Sequence, residues 1–508
     1  MRITQALHRA LQQTPDAVMT VFAGRETTVA GTADRVARLA AALTAHGVNT
    51  GDRVGVLALN SDRYHEILLA VPWAGAVVNP VNVRWSPKEV AHSLVDCDTD
   101  VLFVDDTFAP MVQQLTRLAP NLRLVIHCGE SETPEGLLGY EQLVSDHAPA
   151  ADVGGDGSEL FGIFYTGGTT GHPKGVMLTH DNLVASAMGT LVTTDVFSRG
   201  GRLMHVAPMF HLADLAAWSI GLMTGATHLM VPSFTPAGVL DAISRQGATD
   251  AVLVPTMIQM LLDAPEAAEA DLGTMRGVLY GASPISESLL RRARERMPNA
   301  KFTQAYGMTE LSPITTLLTS QDHDDPALAR SAGRAAAHAE VKVVDHDGNE
   351  VPRGETGEVV ARGDHVMRGY WGKPAETAEA LRDGWMHTGD AGVMDDDGYL
   401  FIVDRIKDMI ITGDENVYSV EVENALAKHP AVAQSAVIGV PDDRWGERVH
   451  AVIVLRDGAD VDGEALKQFC LEHIANYKVP RSFAFVDALP VSAAGKILKR
   501  DLRAQTWQ

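Results

Sequence analysis

One eleven-residue string constrains this chain more than any other: Tyr165-Thr166-Gly167-Gly168-Thr169-Thr170-Gly171-His172-Pro173-Lys174-Gly175. The apolar run from Leu160 to Phe164 leads into it and predicts a buried strand. Its glycines let the backbone turn tightly and approach a ligand closely. Thr166, Thr169 and Thr170 add hydroxyl donors, and Lys174 adds a point charge. Free backbone N–H groups, hydroxyls and one cation are what a polyphosphate requires. The string is not a Walker A loop, which needs Gly-Lys-Ser/Thr opening a helix. Here Pro173 precedes the lysine and Gly175 follows it. A Gly-Gly pair alone predicts only a surface turn.

Around this string, strand-like and helix-like runs alternate. Arg53 to Leu59, Ala76 to Val81, Val101 to Val104 and Leu122 to Ile126 are β-rich, and Asp62 to Ala74 carries a helical apolar pattern. Ser86-Pro87-Lys88-Glu89 has the grammar of a helix start, with a serine cap, proline in the first turn and a glutamate closing the capping box. Residues 130 to 158 are rich in Gly, Pro, Ser and acids and predict a surface connection. Thr179-His180-Asp181 predicts a cap for a helix through Met188, and Ala251 to Val254 and Gly277 to Tyr280 are buried strands. Residues 340 to 362, turning at Asp347-Gly348-Asn349, and Gly392 to Val403, turning at Asp397-Gly398, read as hairpins. After Lys407 the pattern restarts. Helices are predicted at Ser419 to Lys428 and Asp462 to Ile474, and strands at Ala436 to Val440, Val449 to Leu455 and Arg481 to Val486.

These alternations predict an α/β fold. A large N-terminal domain, 1–406, holds layered α/β subdomains and a β-rich subdomain. A small mobile C-terminal α/β domain, 407–508, is hinged near Lys407. The 508 residues are 46% hydrophobic, enough for more than one core. A net charge of -23 argues against nucleic acid or an anionic membrane as a partner. Cys97, Cys128 and Cys470 form neither a disulfide framework nor a metal pattern, which suits a reducing cytoplasm. Met1 to Gln13 lacks a signal-peptide core, and Ile67 to Val78 is too short to span a bilayer. Peripheral membrane contact stays open for a lipid substrate, and so does a homodimer.

Five further strings carry chemistry. They are Pro208-Met209-Phe210-His211, Gly281-Ala282-Ser283-Pro284 and Gln304-Ala305-Tyr306-Gly307-Met308-Thr309-Glu310, then Gly384 to Asp390 paired with Asp404-Arg405, and Gly495-Lys496 in a basic tail. Alone, each has a plain reading: a structural histidine, a turn after a strand, a helix cap, a chance Thr-Gly-Asp and a solvated surface. Together with the glycine-rich string, in this order, they resemble the acyl-adenylate-forming (AMP-binding) superfamily. The first third, including Asn82 to Ser86, resembles bacterial fatty acyl-CoA ligases.

The resemblance implies ATP, Mg2+ and CoA as cofactors. Thr166, Gly167, Gly168, Thr169, Thr170, Gly171 and Lys174 would hold the β- and γ-phosphates. Gly281, Ala282 and Ser283 would lie against adenine, with the Gln304 to Thr309 segment supplying Tyr306 to stack on it and Thr309 to bond the α-phosphate. Glu310, with Thr166 close by, would face the metal. Asp390 and Arg405 would grip the ribose. His211 would sit near the acyl group and the thiol's approach. Lys496 would bond the carboxylate and the α-phosphate during adenylation, and the other tail charges would be solvated.

Two departures stand out. Gly167 replaces a usual hydroxyl residue. Asp414 replaces a glycine in the hinge-proximal loop Gly413-Asp414-Glu415-Asn416, which in the family lines the pantetheine path. Asp tolerates a left-handed backbone, so the plain reading is a tolerated turn and the sharper one an impaired thioester step. The segments 205–223 and 305–317 are apolar apart from Glu310 and Asp214, with Trp218 and Met223 read as core, favouring a fatty or aryl acid. The implied activity is an ATP-dependent acyl-CoA synthetase. The alternatives are an enzyme that stops at acyl-AMP or loads a carrier protein and, more distantly, a non-catalytic nucleotide- or acyl-binding protein.

Overall fold

The structure is a computed structural model describing residues 1–166, 173–283, 285–412, 415–442, 445–491 and 497–505, with the side chains of 407, 415 and 416 also left out. The chain divides into two compact units: residues 1–341 with 361–386, and residues 342–360 with 387–508. The α/β expectation is borne out.

Two large sheets build the first unit. One has eight strands in the order Gly369–Tyr370, Lys174–Thr179, Leu160–Thr166, Val77–Pro80, Arg53–Leu57, Val101–Val104, Leu124–His127 and Leu138–Gly139. From Leu160–Thr166 onward the neighbours run parallel, and Lys174–Thr179 turns back antiparallel. The second sheet has nine strands, with Lys301–Tyr306, Gly277–Gly281, Asp250–Val252, Arg202–His205 and Thr227–Met230 parallel at its centre. Parallel strands buried on both faces need the near-continuous apolar runs seen here. In such sheets, ligand crevices open at the carboxyl ends of the strands.

Local signals translate directly. Ser86 accepts from the Glu89 N–H while Glu89 answers the Ser86 N–H, so the box closes around helix Pro87–Asp96. Thr179 and Asn182 do the same for helix His180–Thr193, which runs past the expected end at Met188. The stretch 130–158 is not only a connection. It contains helix Tyr140–Asp146, which buries Tyr140, Leu143 and Val144. The Tyr140 hydroxyl donates to Glu66 Oε2 at 2.6 Å, and Arg35 Nε reaches Glu66 Oε1 at 2.7 Å. A seven-residue helix is too short to show a period, and this one is fixed by its partners instead.

The second unit holds the expected hairpin, in which Leu400–Arg405 pairs with residues 390–394. Beyond residue 407, Glu415–Val417, Ile410–Thr412, Gly446–Leu455, Val432–Asp442 and Ser482–Phe485 form a separate five-stranded sheet. Val432–Asp442 extends well past the expected 436–440 because it pairs with Gly446–Leu455 along its length. Among the described residues, no helix is long and apolar enough to cross a membrane.

Three histidines in the first unit are held neutral. The Trp218 indole N–H donates to His65 Nδ1 at 3.0 Å, and the Ile3 N–H donates to His180 Nδ1 at 3.2 Å. A ring nitrogen that accepts a fixed N–H has no room for a proton. Burial pushes His65, His180 and His365 down to about 3. In the unfolded chain these groups titrate near ~6.5. Below that pH the unfolded chain binds protons that the folded chain refuses. Stability is therefore complete above about pH 6.5 and falls toward pH 3 by about 1.4 kcal/mol per group per pH unit. The carboxyls of Asp105 and Asp250, pushed up by burial, act in the opposite sense. Between about pH 7.5 and pH 5.5 the urea unfolding midpoint of the wild type is expected to fall relative to that of His65→Phe, which lacks one such histidine. An unchanged difference between the two midpoints contradicts it.

Candidate active site

The antiparallel pairing of Leu160–Thr166 with Lys174–Thr179 sets Thr166 opposite Lys174. The intervening Gly167, Gly168, Thr169, Thr170, Gly171 and His172 lie outside the described residues. Just before them, the Tyr165 hydroxyl donates to Asp96 Oδ2 at 2.7 Å, tying the strand end to a neighbouring helix. On the other side, Gly369–Tyr370 pairs with Lys174–Thr179. The Lys174 ammonium sits 4.9 Å from the centroid of the Tyr370 ring. The Tyr370 hydroxyl donates to Glu310 Oε1 at 2.9 Å. Thr166, Lys174 and Glu310 are thus linked through pairing and one tyrosine.

Glu310 lies in the turn Thr309–Leu311 and is 6% exposed. Gly307 makes the approach to that turn possible: its φ is +158°, and a β-carbon there would fall 1.9 Å from the Pro313 carbonyl oxygen. The parallel register of Gly277–Gly281 with Lys301–Tyr306 brings two of the expected strings together, with Gly281 opposite Ala305. A β-carbon at Gly281 would meet the Ala305 carbonyl oxygen at 2.4 Å. Ala282 and Ser283 follow at the exposed carboxyl end of the strand, while Pro284 lies outside the described residues. Gln304, Ala305, Tyr306, Met308 and Thr309 are half-buried on the neighbouring strand and turn. The buried Tyr280 hydroxyl donates to Gln304 Oε1 at 3.2 Å and also meets His323 Nε2 at 2.6 Å.

His211 caps helix Leu212–Thr224 with an extended backbone, and its ring packs 4.2 Å from that of Phe210. The segment before it is clamped by Asn60, a residue the sequence did not single out. Asn60 Nδ2 donates to the carbonyls of His205 and Ala207 at 3.2 and 2.9 Å, and its Oδ1 accepts from the Met209 N–H at 2.9 Å. Asp214, expected as a lone acid near the acyl group, is fully buried and 2.7 Å from His205 Nδ1. His205 Nε2 in turn meets His228 Nδ1 at 2.8 Å. Burial pushes the Asp214 carboxyl up, while His205 opposes the shift. Trp218 is fully buried core, as expected.

In the second unit, the hairpin sets Asp390 opposite Arg405, with Asp390 Oδ1 2.6 Å from Arg405 Nε. Asp390 is 5% exposed and takes its own N–H bond to Thr388 Oγ1 at 3.1 Å. Lys407 lies in the turn Ile406–Asp408, and its side chain is outside the description. So are Gly413 and Asp414, the Glu415 side chain, and Lys496. One tail charge departs from the solvated expectation. Lys499 is half-buried, with Nζ 2.8 Å from Glu423 Oε1 and 2.5 Å from Ser419 Oγ, because Glu423 is desolvated and needs a cation. Arg500 is exposed, as expected.

The donor set fits magnesium arriving with a polyphosphate. Glu310 offers a hard, oriented carboxylate, and such an ion needs few protein ligands beyond phosphate oxygens. Among the described residues, no cluster of three or more His, Cys, Asp or Glu side chains forms a self-sufficient metal site.

Lys174 and the buried Glu310 joined through Tyr370, and in the second unit the Asp390–Arg405 pair on its hairpin, agree with what the AMP-binding enzyme family implies. The chain belongs to that family: the AMP-binding enzyme model matches residues 7–371, and the AMP-binding enzyme C-terminal domain matches 421–496. It is 41% identical over 496 residues to a feruloyl-CoA synthase from Amycolatopsis sp, covering 97% of each chain. It is 38% identical to the fatty acid–[acyl-carrier-protein] ligase ScoC of Streptomyces coeruleorubidus, covering 92% of this chain and 90% of that one. Its fold matches the ATP-bound crystal structure of MatB from Rhodopseudomonas palustris with a TM-score of 0.89 at 30% identity, covering 99% and 98%.

Proposed function

We propose that this chain is an AMP-forming acid–thiol ligase, an acyl-CoA synthetase acting on a fatty or aryl acid. The acid's carboxylate attacks the α-phosphorus of ATP, pyrophosphate leaves, and acyl-AMP forms. The thiol of CoA then attacks the acyl carbonyl, and AMP leaves. The first step is positioning plus charge neutralisation. Thr166 to Lys174 hold the leaving pyrophosphate. Tyr306 and the 281–283 segment face adenine, Thr309 bonds the α-phosphate, and Asp390 and Arg405 grip the ribose. Glu310 and Thr166 would hold a magnesium ion, which would supply neutralisation of phosphate charge. Lys496 carries the cation for the reacting oxygens. His211 borders the acyl group. Lys407 is the hinge about which 407–508 turns between the half-reactions, exchanging Lys496 for the 413–416 loop. The observation that supports this reading most is the link between Thr166, Lys174 and Glu310 through strand pairing and Tyr370, residues far apart in sequence.

The acid's class follows from charge. With Asp214 engaged by His205, the 205–223 segment offers no second acid for an amino group. The feruloyl-CoA synthase relative makes an aryl acid the first to test. The three buried free cysteines suit the cytoplasm. Acid-dependent exchange of labelled pyrophosphate into ATP tests the first step, and its absence with every fatty and aryl acid defeats the reading.

A second reading, transfer to a carrier protein, is favoured by the ScoC relative, while Asp414 bears on the thioester step itself. A carboxylate on the thiol's route adds bulk and charge. Asp414→Gly is expected to speed thioester formation from supplied acyl-AMP several-fold while leaving adenylation unchanged. An unchanged second-step rate returns Asp414 to a tolerated turn.

A further inference from the structure

Tyr370 belongs to none of the strings that carry chemistry, yet it touches two of their residues. Pairing sets it opposite Val176, with its ring under the Lys174 ammonium at 4.9 Å and its hydroxyl on Glu310 Oε1 at 2.9 Å. The same segment holds Glu310 by its main chain, because the Met367 N–H donates to the Glu310 carbonyl at 2.8 Å. Tyr370 is itself braced. Its N–H donates to Thr377 Oγ1 at 2.9 Å, and the Thr377 hydroxyl donates onward to the Lys373 carbonyl at 2.8 Å. The side chain is 9% exposed, and burial beside Glu310 pushes the phenol well above its ordinary range, so it stays a donor.

We infer that Tyr370 is a positioning residue for magnesium–ATP: its ring seats the phosphate-binding cation while its hydroxyl fixes the carboxylate that faces the metal. The inference rests on the roles proposed above for Lys174 and Glu310. A cation over a ring face is attracted by the ring's quadrupole, which holds the ammonium in place before phosphate oxygens arrive. A carboxylate with one oxygen tied to a buried hydroxyl has its plane set before the ligand arrives. One side chain thereby fixes the spacing between the phosphate and metal ends of the site.

The test compares Tyr370→Phe, Tyr370→Leu and Glu310→Gln with the wild type. The magnesium concentration for half-maximal effect is read twice: from protection of the protein by ATP against thermal unfolding, and from acid-dependent pyrophosphate release. Phenylalanine keeps the ring and removes the hydroxyl. The expected result is a roughly tenfold higher magnesium midpoint in both readouts, the size expected for a lost bond to a charged group. The KM for ATP at saturating magnesium stays near wild type. Tyr370→Leu is expected to add a several-fold rise in that KM. Wild-type midpoints in Tyr370→Phe, whatever its turnover, overturn the inference if Glu310→Gln is shifted. Unshifted midpoints in both variants overturn the reading of Glu310, and the inference with it.

Discussion

Replacing Lys496 with alanine is expected to lower acid-dependent pyrophosphate release by roughly 10²–10³-fold or more, the cost of removing a group aimed at developing charge. The same variant is expected to turn supplied acyl-AMP and CoA into thioester at near the wild-type rate. The asymmetry follows from where charge changes. In adenylation, a carboxylate approaches an already anionic α-phosphate, and that encounter needs a cation between them. In thioester formation, the attacked carbonyl is an activated mixed anhydride with AMP as its leaving group, so the demand for that cation is gone. Measuring the two half-reactions separately checks this. Equal losses in both contradict the assignment and make Lys496 a residue of folding or of general binding.

The second large effect is expected at Asp390. Its carboxylate is 5% exposed and accepts Arg405 Nε at 2.6 Å, so its rotamer is fixed. A carboxylate held this way accepts two vicinal hydroxyls, whereas an amide turns a donor toward one of them. Asp390→Asn is therefore expected to cut kcat/KM for ATP by roughly 10²-fold, since unpaired buried polar groups are costly. The informative comparison uses 3′-deoxy-ATP. The wild type should discriminate strongly against it, and the variant should discriminate little, because the partner of the missing hydroxyl is already impaired. Undiminished discrimination by Asp390→Asn removes the residue from ribose binding.

Legibility in the sequence divided along a physical line. Features set by neighbours in sequence were readable: the capping boxes at Ser86 and Thr179 and the hairpin through Asp397-Gly398. The fold class followed, because α/β alternation is written in apolar periods. The strings at 281–284 and 304–310 were legible as strings, but their adjacency was not, since it comes from parallel pairing of two strands. Single residues acting at long range left no local mark. Tyr370 meets Glu310 across 60 positions, and Asn60 meets Met209 across 149. Asp214 and Lys499 read as a site acid and a surface charge. Whether a charge is spent internally depends on a partner that topology alone supplies: His205 for the one and Glu423 for the other.

The central claim is one acid-specific activation followed by transfer to a thiol. The most direct measurement presents fatty, cinnamic and benzoic acids with magnesium–ATP, with and without CoA, and follows pyrophosphate and thioester separately. The account predicts that one class of acid yields both products, with thioester strictly dependent on CoA. Pyrophosphate without thioester would contradict the CoA ligase reading in favour of an enzyme that stops at acyl-AMP or loads a carrier protein, and release of neither product with any acid would contradict the account as a whole.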